Sequence, residues 1–479
     1  MCLHIHFHYP SEWLEGHNSA EISAFLPLCN QKCWTPGSTC RLGPFFARHR
    51  RLKLRLAQWA ATRRDIFPPH ICDRLGTLHD ATCLHPWRHT HQILTDTFGD
   101  YKGRGLSIDP LEVVGSGSAA QVYAGTLTLP TPDGRENVDY FPQRHIHVAV
   151  KVLHPNIRSA VDRDLLLMER VASLLNSLPF DYVKVLSLPR AADNFGEIIR
   201  KQLDLRVEGD NLDKFRSNFS GETSKIRKKT ADIPKISFPR PLEGWVGSDV
   251  LVEEFVENAT PISNYLQDST EDGIILRKEL AVLLLQAFLK MVFIDNFIHC
   301  DLHPGNVMVQ TTKVPAAAKS WISKNSNDQN SSQKHTVVIL DAGIATSLSP
   351  NDKKNLRDLF RAVILNDGER AGRLMVERAR HESCSQIEGG VDLFAKGVHN
   401  IVAEFHDRRQ RGLTLGAVRI GSLLSCVLDL CRSHGVEIDP AMASIVVSTL
   451  VLEGLGRSLE PDLNLIDCAM PFVMGIGKV

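Results

Sequence analysis

The feature that most constrains this chain is the eight-residue run HCDLHPGN, from His299 to Asn306. It follows an apolar stretch, residues 281–299, whose polar interruptions indicate a buried helix and not a membrane span. It precedes Val307–Val309, a short apolar run typical of a strand. Asp301 can orient or deprotonate an attacking hydroxyl or water, and Asn306, five residues later, can bind Mg²⁺ through its side-chain oxygen. The run therefore predicts a catalytic loop between a buried helix and a strand.

A second aspartate directly follows a predicted strand. Asp341 comes after Val337–Leu340 and is followed by Ala342 and Gly343. An aspartate at the end of such a strand is predicted to bind the metal ion that bridges nucleotide phosphates. Ala342 stands where protein kinases usually have phenylalanine. The metal ligand is thus predicted to be present, without the aromatic packing that couples this loop to a regulatory helix.

A glycine-rich stretch lies between two predicted strands, Leu111–Val114 and Ala120–Thr128. Glycine lets the backbone approach phosphate oxygens closely and point N–H groups at them. A dinucleotide-binding fold would place such a loop between a strand and a helix. By itself the pattern also fits an ordinary hairpin. The residues predicted here to bind nucleotide are Gly115, Ser116, Gly117, Ser118 and Val122.

The next predicted strand, His145–Leu153, has Ala149 and Lys151 on one face. Ala149 leaves room for a flat base, and Lys151 is predicted to reach the α- and β-phosphates, although an exposed strand lysine is the commoner case. A further predicted strand, Leu251–Val256, is interpreted as the hinge of the base site. Its backbone at Glu254 and Val256 would meet the adenine edge; a strand with acidic ends at the surface is the alternative.

Four motifs in this order, with strands first and helices afterwards, predict an α+β, protein-kinase-like bilobal fold. ATP and Mg²⁺ are the expected cofactors. We expect a variable N-terminus over residues 1–44 and a helical N-terminal extension over 45–104. The smaller lobe is predicted over 105–258, and the helical larger lobe over 259–479, with a flexible polar insertion near 310–334.

From about Arg51 onward the chain resembles the UbiB-like, or aarF-domain-containing, atypical kinases, and in particular their mitochondrial members. The segment Gln202–Glu208 resembles a family helix that carries the glutamate paired with the strand lysine. The resemblance therefore implies that Lys151, Glu208 and Asp301 form the catalytic set. Asp204, one helical turn from Glu208, is the alternative partner of Lys151 and an expected regulatory residue. Gln202 replaces the first glutamate of the family pattern.

The stretch Arg55-Leu56-Ala57-Gln58 resembles the family's Lys-x-Gly-Gln motif, with arginine in place of lysine and alanine in place of glycine. In the family this helix lies across the site and hinders protein substrates. Leu52, Leu56 and Trp59 give it an apolar face, so docking on the folded domain is expected. We predict that Arg55 and Gln58 cover the nucleotide cleft as regulatory residues. Packing against the back of the larger lobe is the alternative.

The resemblance implies an atypical kinase or ATPase that supports coenzyme Q or lipid metabolism in mitochondria. An active protein or small-molecule kinase and a catalytically silent nucleotide-binding scaffold are the alternatives. The expected partners are a nucleotide and lipid or quinone-pathway enzymes. The formal net charge is zero, so the chain as a whole is not attracted to nucleic acid.

The N-terminal part carries two further expectations. Basic residues between Arg48 and Arg64 predict either peripheral contact with a membrane or a solvated helix face. The first 40 residues lack the pattern of a secretory signal. They also lack a clear mitochondrial presequence, because acidic residues interrupt them and arginine is absent before Arg41.

Overall fold

The computed structural model describes residues 84–473 except 118, 130–143, 178–187, 221–234, 267, 314–332, 380, 411–419, 439, 462 and 464. All of these belong to one compact unit, Leu54–Val479. Several sequence predictions lie outside the described residues: the variable N-terminus, the extension motif with Arg55 and Gln58, the basic stretch, Ser118 and most of the 310–334 insertion.

The first part of the described chain is rich in strands. Its elements are α1 (Trp87–Phe98), β1 (Leu106–Ser116), β2 (Ala120–Leu129), β3 (Arg144–Leu153), α2 (Ile157–Asn176), α3 (Leu188–Gln202), α4 (Leu205–Phe219), β4 (Lys235–Ser237), β5 (Pro241–Val246) and β6 (Val250–Glu254). Five of the strands form one sheet in the order β1-β2-β3-β6-β5, and every neighbouring pair is antiparallel.

Strand β3 shows the alternation that the sequence predicts. Val148, Val150 and Val152 are fully buried in a cluster that also contains Leu94 of α1. Ala149 and Lys151 lie on the opposite face and are partly exposed. The valines therefore anchor the strand on α1, and this fixes the face from which Lys151 projects.

Two predicted strands have different bounds in the structure. β1 begins at Leu106, earlier than predicted, and shows register irregularities between Ile108 and Gly115. β6 ends at Glu254, so Phe255 and Val256 lie beyond it. The chain turns shortly afterwards at Asn258, whose φ of 52° lies in the left-handed region.

The second part is mainly helical. It contains β7 (Ala259–Pro261), α5 (Glu271–Leu289), β8 (Ile298–His299), β9 (Val307–Lys313), β10 (Gln333–Ile339), β11 (Ala345–Thr346), α6 (Pro350–Ile364), α7 (Gly368–Arg378), α8 (Gly390–Gln410), α9 (Ile420–His434), α10 (Pro440–Leu459) and α11 (Leu465–Val473). A four-stranded sheet has the order β4-β10-β9-β7, and β11 pairs with β8. No described helix is long and apolar enough to cross a membrane.

Helix α5 leads into the HCDLHPGN run. The Thr270 side chain caps its start by accepting from the Gly273 N–H at 3.1 Å. After α5 a π-helical turn ends at Asn296, which has a left-handed φ of 52°. The Asn296 side chain bonds both the N–H and the carbonyl of Leu348. These two hydrogen bonds fix the point at which the chain enters β8 and then the loop with Asp301.

Candidate functional site

A largely buried lysine is held between two carboxylates. Lys151 Nζ lies 2.7 Å from Glu208 Oε1, 2.8 Å from Glu208 Oε2 and 2.8 Å from Asp341 Oδ2. β3, α4 and the segment after β10 supply these three groups. The Glu208 side chain is only 5% exposed, whereas that of Asp341 is 38% exposed. Asp341 is therefore the most exposed of the three groups, and Glu208 the most deeply buried.

Charge and burial shift the pKa values of all three groups. Burial alone would lower the pKa of Lys151, but the charges of Asp341 and Glu208 raise it above its ordinary value. Burial and the Asp341 charge raise the pKa of Glu208 to about 7, although Lys151 opposes this. Burial would also raise the pKa of Asp341, but Lys151 and the Gly343 N–H lower it to about 2. Lys151 and Asp341 are thus charged at neutral pH, and Glu208 titrates near neutrality.

Helix α4 also holds the segment around Asp341 through polar contacts. Asn211 Nδ2 donates to the Ala342 carbonyl at 2.9 Å, and the Ala342 N–H bonds the Glu208 carboxylate. Gly343 N–H donates to Asp341 Oδ1 at 2.8 Å. The aromatic contact is absent, as Ala342 predicts, but α4 remains coupled to the aspartate loop through these hydrogen bonds.

His299 joins the two loops that carry Asp301 and Asp341. It is fully buried; its Nε2 bonds the Asp341 carbonyl, and its Nδ1 accepts from the Asp301 N–H at 3.1 Å. Since Nδ1 accepts and a carbonyl can only accept, the ring is neutral with its proton on Nε2. Burial lowers the pKa of His299, which keeps the ring in this form. One neutral imidazole therefore fixes the spacing of both aspartates.

Asp301, Asn306 and Asp341 lie on connected loops. Asn306 Nδ2 donates to the Asp301 carbonyl at 3.1 Å, and the Leu340 N–H donates to the Asn306 carbonyl at 2.9 Å. The side chain of Asp301 is 43% exposed and lies 3.9 Å from His303 Nε2. With Nδ2 bonded, Asn306 would offer its oxygen to a cation beside the Asp341 carboxylate. Two side-chain oxygens, completed by phosphate and water oxygens, suit Mg²⁺.

The glycine-rich turn joins β1 to β2. Gly117 N–H donates to the Ala120 carbonyl at 2.9 Å, and Gly115 pairs with Val122. A Cβ atom built at Gly115 would meet no atom within 4 Å, so local packing does not require glycine there. This open space is what a phosphate group would need to approach the backbone. Val122 pairs directly with Lys151 across β2 and β3 and therefore shares its face of the sheet.

A buried hydrogen-bond network supports this turn, and the sequence reasoning did not identify it. His154, just after β3, bonds the Gly117 carbonyl through Nε2 at 3.0 Å, and its N–H donates to the Ala119 carbonyl at 2.8 Å. Its Nδ1 lies 2.8 Å from Nδ1 of His85, whose Nε2 lies 2.7 Å from Thr90 Oγ1 of α1. The network thus connects α1 to the glycine-rich turn.

This network gives a stability prediction. His154→Phe keeps an aromatic ring but removes the hydrogen bonds that the His154 ring makes to the Gly117 carbonyl and to His85 Nδ1. A buried polar group without its partner costs about 1–3 kcal/mol. We expect urea denaturation to show a loss of that size. His145→Phe, an exposed histidine of β3, is the matched control and should change stability by less than about 0.5 kcal/mol. Equal effects of the two variants would contradict a structural role for the network.

The predicted hinge lies at the end of β6, next to the face of the sheet that carries Ala149 and Lys151. Glu253 pairs with Ala149 across β6 and β3. The Glu254 N–H donates to the Arg240 carbonyl at 2.9 Å, and the Phe255 N–H donates to the His147 carbonyl at 3.1 Å. Val256 follows with a partly exposed side chain. Glu254 and Val256 therefore flank the end of β6, where the sequence places the base-binding backbone.

The structure brings Lys151, Glu208, Asp341, Asp301 and Asn306 into one connected set, although their roles remain predictions. Asp204 has another position: it caps α4, accepts from the Arg206 N–H, and pairs with the Arg206 guanidinium at 2.6 Å. The alternative pairing of Asp204 with Lys151 is therefore wrong in this structure. The sequence reasoning missed the second carboxylate on Lys151 and the bridging role of His299, which is the first residue of the HCDLHPGN run.

Comparison with known proteins agrees with this geometry. The profile of the ABC1 atypical kinase-like domain matches residues 77–375, and that of the UbiB helical domain matches residues 408–464. The ABC1 family protein YPL109C, mitochondrial, of Saccharomyces cerevisiae is 32% identical over 88% of this chain and 66% of its own length. The ABC1 family protein C21C3.03, mitochondrial, of Schizosaccharomyces pombe is 32% identical over 88% of this chain and 63% of its own length.

A bacterial relative extends the comparison. The probable protein kinase UbiB of Histophilus somni is 26% identical over 88% of this chain and 68% of its own length. The chain spans slightly less than two thirds of the two fungal relatives. The expected resemblance and the protein-kinase-like fold class are both confirmed. The chain belongs to the ABC1 atypical kinase-like family, with a UbiB helical domain in its C-terminal part.

Proposed function

We propose that this protein binds Mg²⁺–ATP and acts as an atypical kinase or ATPase that supports coenzyme Q or lipid metabolism in mitochondria. The observation that carries the catalytic part is the position of Lys151, held between the buried carboxylate of Glu208 and the more exposed carboxylate of Asp341. Such an ion pair orients a strand lysine toward nucleotide phosphates in active kinases. The fungal relatives, whose names include the word mitochondrial, support the location.

The residues of the cleft have separable tasks in this proposal. Mg²⁺, when bound, neutralises phosphate charge. Asn306 and Asp341 would hold it through side-chain oxygens, and Lys151 would contact the phosphates. Asp301 has an exposed carboxylate that can take a proton from an attacking hydroxyl or water. His299 holds the loops of Asp301 and Asp341 at a fixed separation.

Peripheral membrane contact through the basic extension, and contact with lipid or quinone-pathway enzymes, belong to the same proposal. They rest on the family resemblance and on the basic residues between Arg48 and Arg64. Vesicle flotation with neutral and anionic lipids would test the membrane contact, since an electrostatic attraction should disappear with neutral lipid.

A thermal shift experiment tests nucleotide binding. A ligand that binds only the folded state stabilises it by about 2.7 kcal/mol at a concentration of about 100 times Kd. We therefore expect ATP with Mg²⁺ to raise the melting temperature by several degrees. Asp341→Asn should lose most of the metal-dependent part, because one carboxylate ligand is removed. No shift at millimolar ATP, with or without metal, would contradict the proposal.

A parallel assay of ATP hydrolysis and peptide phosphorylation distinguishes the ATPase from the protein kinase. Phosphate release without labelled peptide would favour the ATPase. Labelled peptide would favour the protein kinase, and binding with neither activity would favour a silent scaffold.

A further inference from the structure

Glu253 is a buried carboxyl group that the proposed catalytic set does not use. Its residue is 8% exposed, and its Oε2 has no hydrogen-bond partner among the described residues. A buried acceptor without a partner is unfavourable, because the hydrogen bond that water would supply is lost. Such a group in a cleft is expected to be satisfied by a ligand that brings a donor.

The sheet register sets the direction of this side chain. Glu253 on β6 pairs with Ala149 on β3, and Leu251 pairs with Lys151. Residues directly opposite each other on antiparallel strands project from the same face. Glu253 therefore lies on the face of Ala149 and Lys151, whereas its neighbour Val252 is buried with α1 on the other face. The carboxyl group points to the side of the sheet that carries the proposed nucleotide site.

The charged groups around Glu253 come from three elements. Burial raises its pKa well above the ordinary value, the charges of Glu208 on α4 and of Asp341 after β10 raise it further, and Lys151 on β3 lowers it. In either protonation state one carboxyl oxygen can accept a hydrogen bond, but only the protonated form can donate one. The group is therefore always a potential acceptor.

We propose that Glu253 is a base-selecting residue, which accepts a hydrogen bond from the exocyclic amine of adenine and, in its ionised form, disfavours purines with a 6-oxo group. Ala149, directly opposite, leaves room for the ring beside it. Adenine presents an N–H donor at its 6-position, whereas inosine and guanine present an oxygen acceptor there. An oxygen facing the Glu253 carboxyl would be tolerated only while that carboxyl is protonated. The inference rests on the proposed nucleotide binding and adds the identity of the base.

The test compares Mg²⁺–ATP with Mg²⁺–ITP, which retains the triphosphate and the purine but has a 6-oxo group. At the alkaline end of the pH range in which the wild type stays folded, where the Glu253 carboxyl is ionised, calorimetric titration should show ATP binding about tenfold or more tightly than ITP. The ratio of the Kd for ITP to the Kd for ATP should increase with pH, because the protonated Glu253 carboxyl that tolerates ITP is lost. Glu253→Gln, of the same size, offers both a donor and an acceptor, so its ratio should fall close to one and lose its pH dependence. Glu253→Met offers neither a charge nor a hydrogen bond, so it should weaken ATP binding about tenfold and bring the affinities for ATP and ITP close together at every pH.

Glu243→Gln, an exposed carboxylate on β5 of the same sheet, is the matched control and should keep the wild-type ratio. Circular dichroism of each variant shows whether it is folded, and the isosteric Gln variant keeps the test decisive if the Met variant unfolds. Equal wild-type affinities for ATP and ITP across the whole pH range, or a wild-type ratio in Glu253→Gln at the alkaline end, would overturn the assignment while nucleotide binding stands. Failure of the wild type to bind either nucleotide would instead contradict the proposed function.

Discussion

Asp301→Asn should lower turnover of ATP by about a hundredfold or more while Mg²⁺–ATP still binds. Asparagine has nearly the same size but cannot take a proton. Asp301 makes its hydrogen bonds to the side chains of His299 and Asn306 through its own backbone N–H and carbonyl, so the substitution leaves both in place. The loss should therefore fall on the chemical step and not on the loop conformation.

Single-turnover hydrolysis and a binding titration, made on the same preparation, separate the two effects. A loss in kcat with an unchanged Kd indicates an interaction made in the transition state. Asp272→Asn, an exposed aspartate in the first turn of α5, is the matched control and should behave as the wild type. Unchanged turnover in Asp301→Asn would remove Asp301 from the catalytic set, and a parallel loss of ATP binding would make it a binding residue.

Sequence reasoning predicts well the parts of the site that depend on residues close together in the sequence. The alternation along β3 places Val148 and Val150 in the core and Lys151 in the cleft, because successive side chains of a strand point to opposite faces. The HCDLHPGN run likewise sets Asp301 and Asn306 on one short loop, since they are only five positions apart in the sequence. The order of these motifs was enough to predict the α+β, kinase-like fold.

The parts it missed depend on contacts between distant segments. Lys151 and Asp341 are 190 residues apart, and His85 and His154 are 69 apart. No periodicity of the sequence relates the members of these two pairs. The packing of α1 and α4 against the sheet brings them together. The position of Glu253 depends in turn on the register of β6 against β3, and a shift of one residue would point it to the other face.

The sequence also predicted the presence of these strands better than the residues at which they begin and end. β1 begins at Leu106, five residues before the predicted start at Leu111, and its irregular register disturbs simple alternation there. A register irregularity, like the turn at Asn258, is set by backbone pairing and not by side-chain polarity. Apolar alternation consequently locates the centre of a strand better than its ends.

Lys151→Met should destabilise the fold by about 3 kcal/mol at pH 8, in addition to weakening ATP binding. It leaves the carboxylates of Glu208 and Asp341 close together without the cation between them. Loss of one partner from a buried ion pair is costly because the remaining charge stays desolvated. Lys102→Met removes the same charge at an exposed position and should change stability by less than about 0.5 kcal/mol.

The pH dependence of this loss identifies its cause. The pKa of Glu208 is already raised to about 7 by burial and by Asp341, and removing Lys151 takes away the charge that holds it down. A carboxyl whose pKa is higher in the folded state binds its proton more tightly when folded, so stability falls as pH rises from its unfolded pKa toward its folded one. The deficit of Lys151→Met should therefore be small near pH 5 and largest near pH 8. Adding Glu208→Gln should recover much of the stability at pH 8 but none of the ATP affinity. Two results would contradict this explanation: a loss in the free energy of unfolding that does not depend on pH, or a Lys151→Met, Glu208→Gln double variant no more stable than Lys151→Met alone. Either would show that Lys151 does not stabilise the fold by neutralising Glu208.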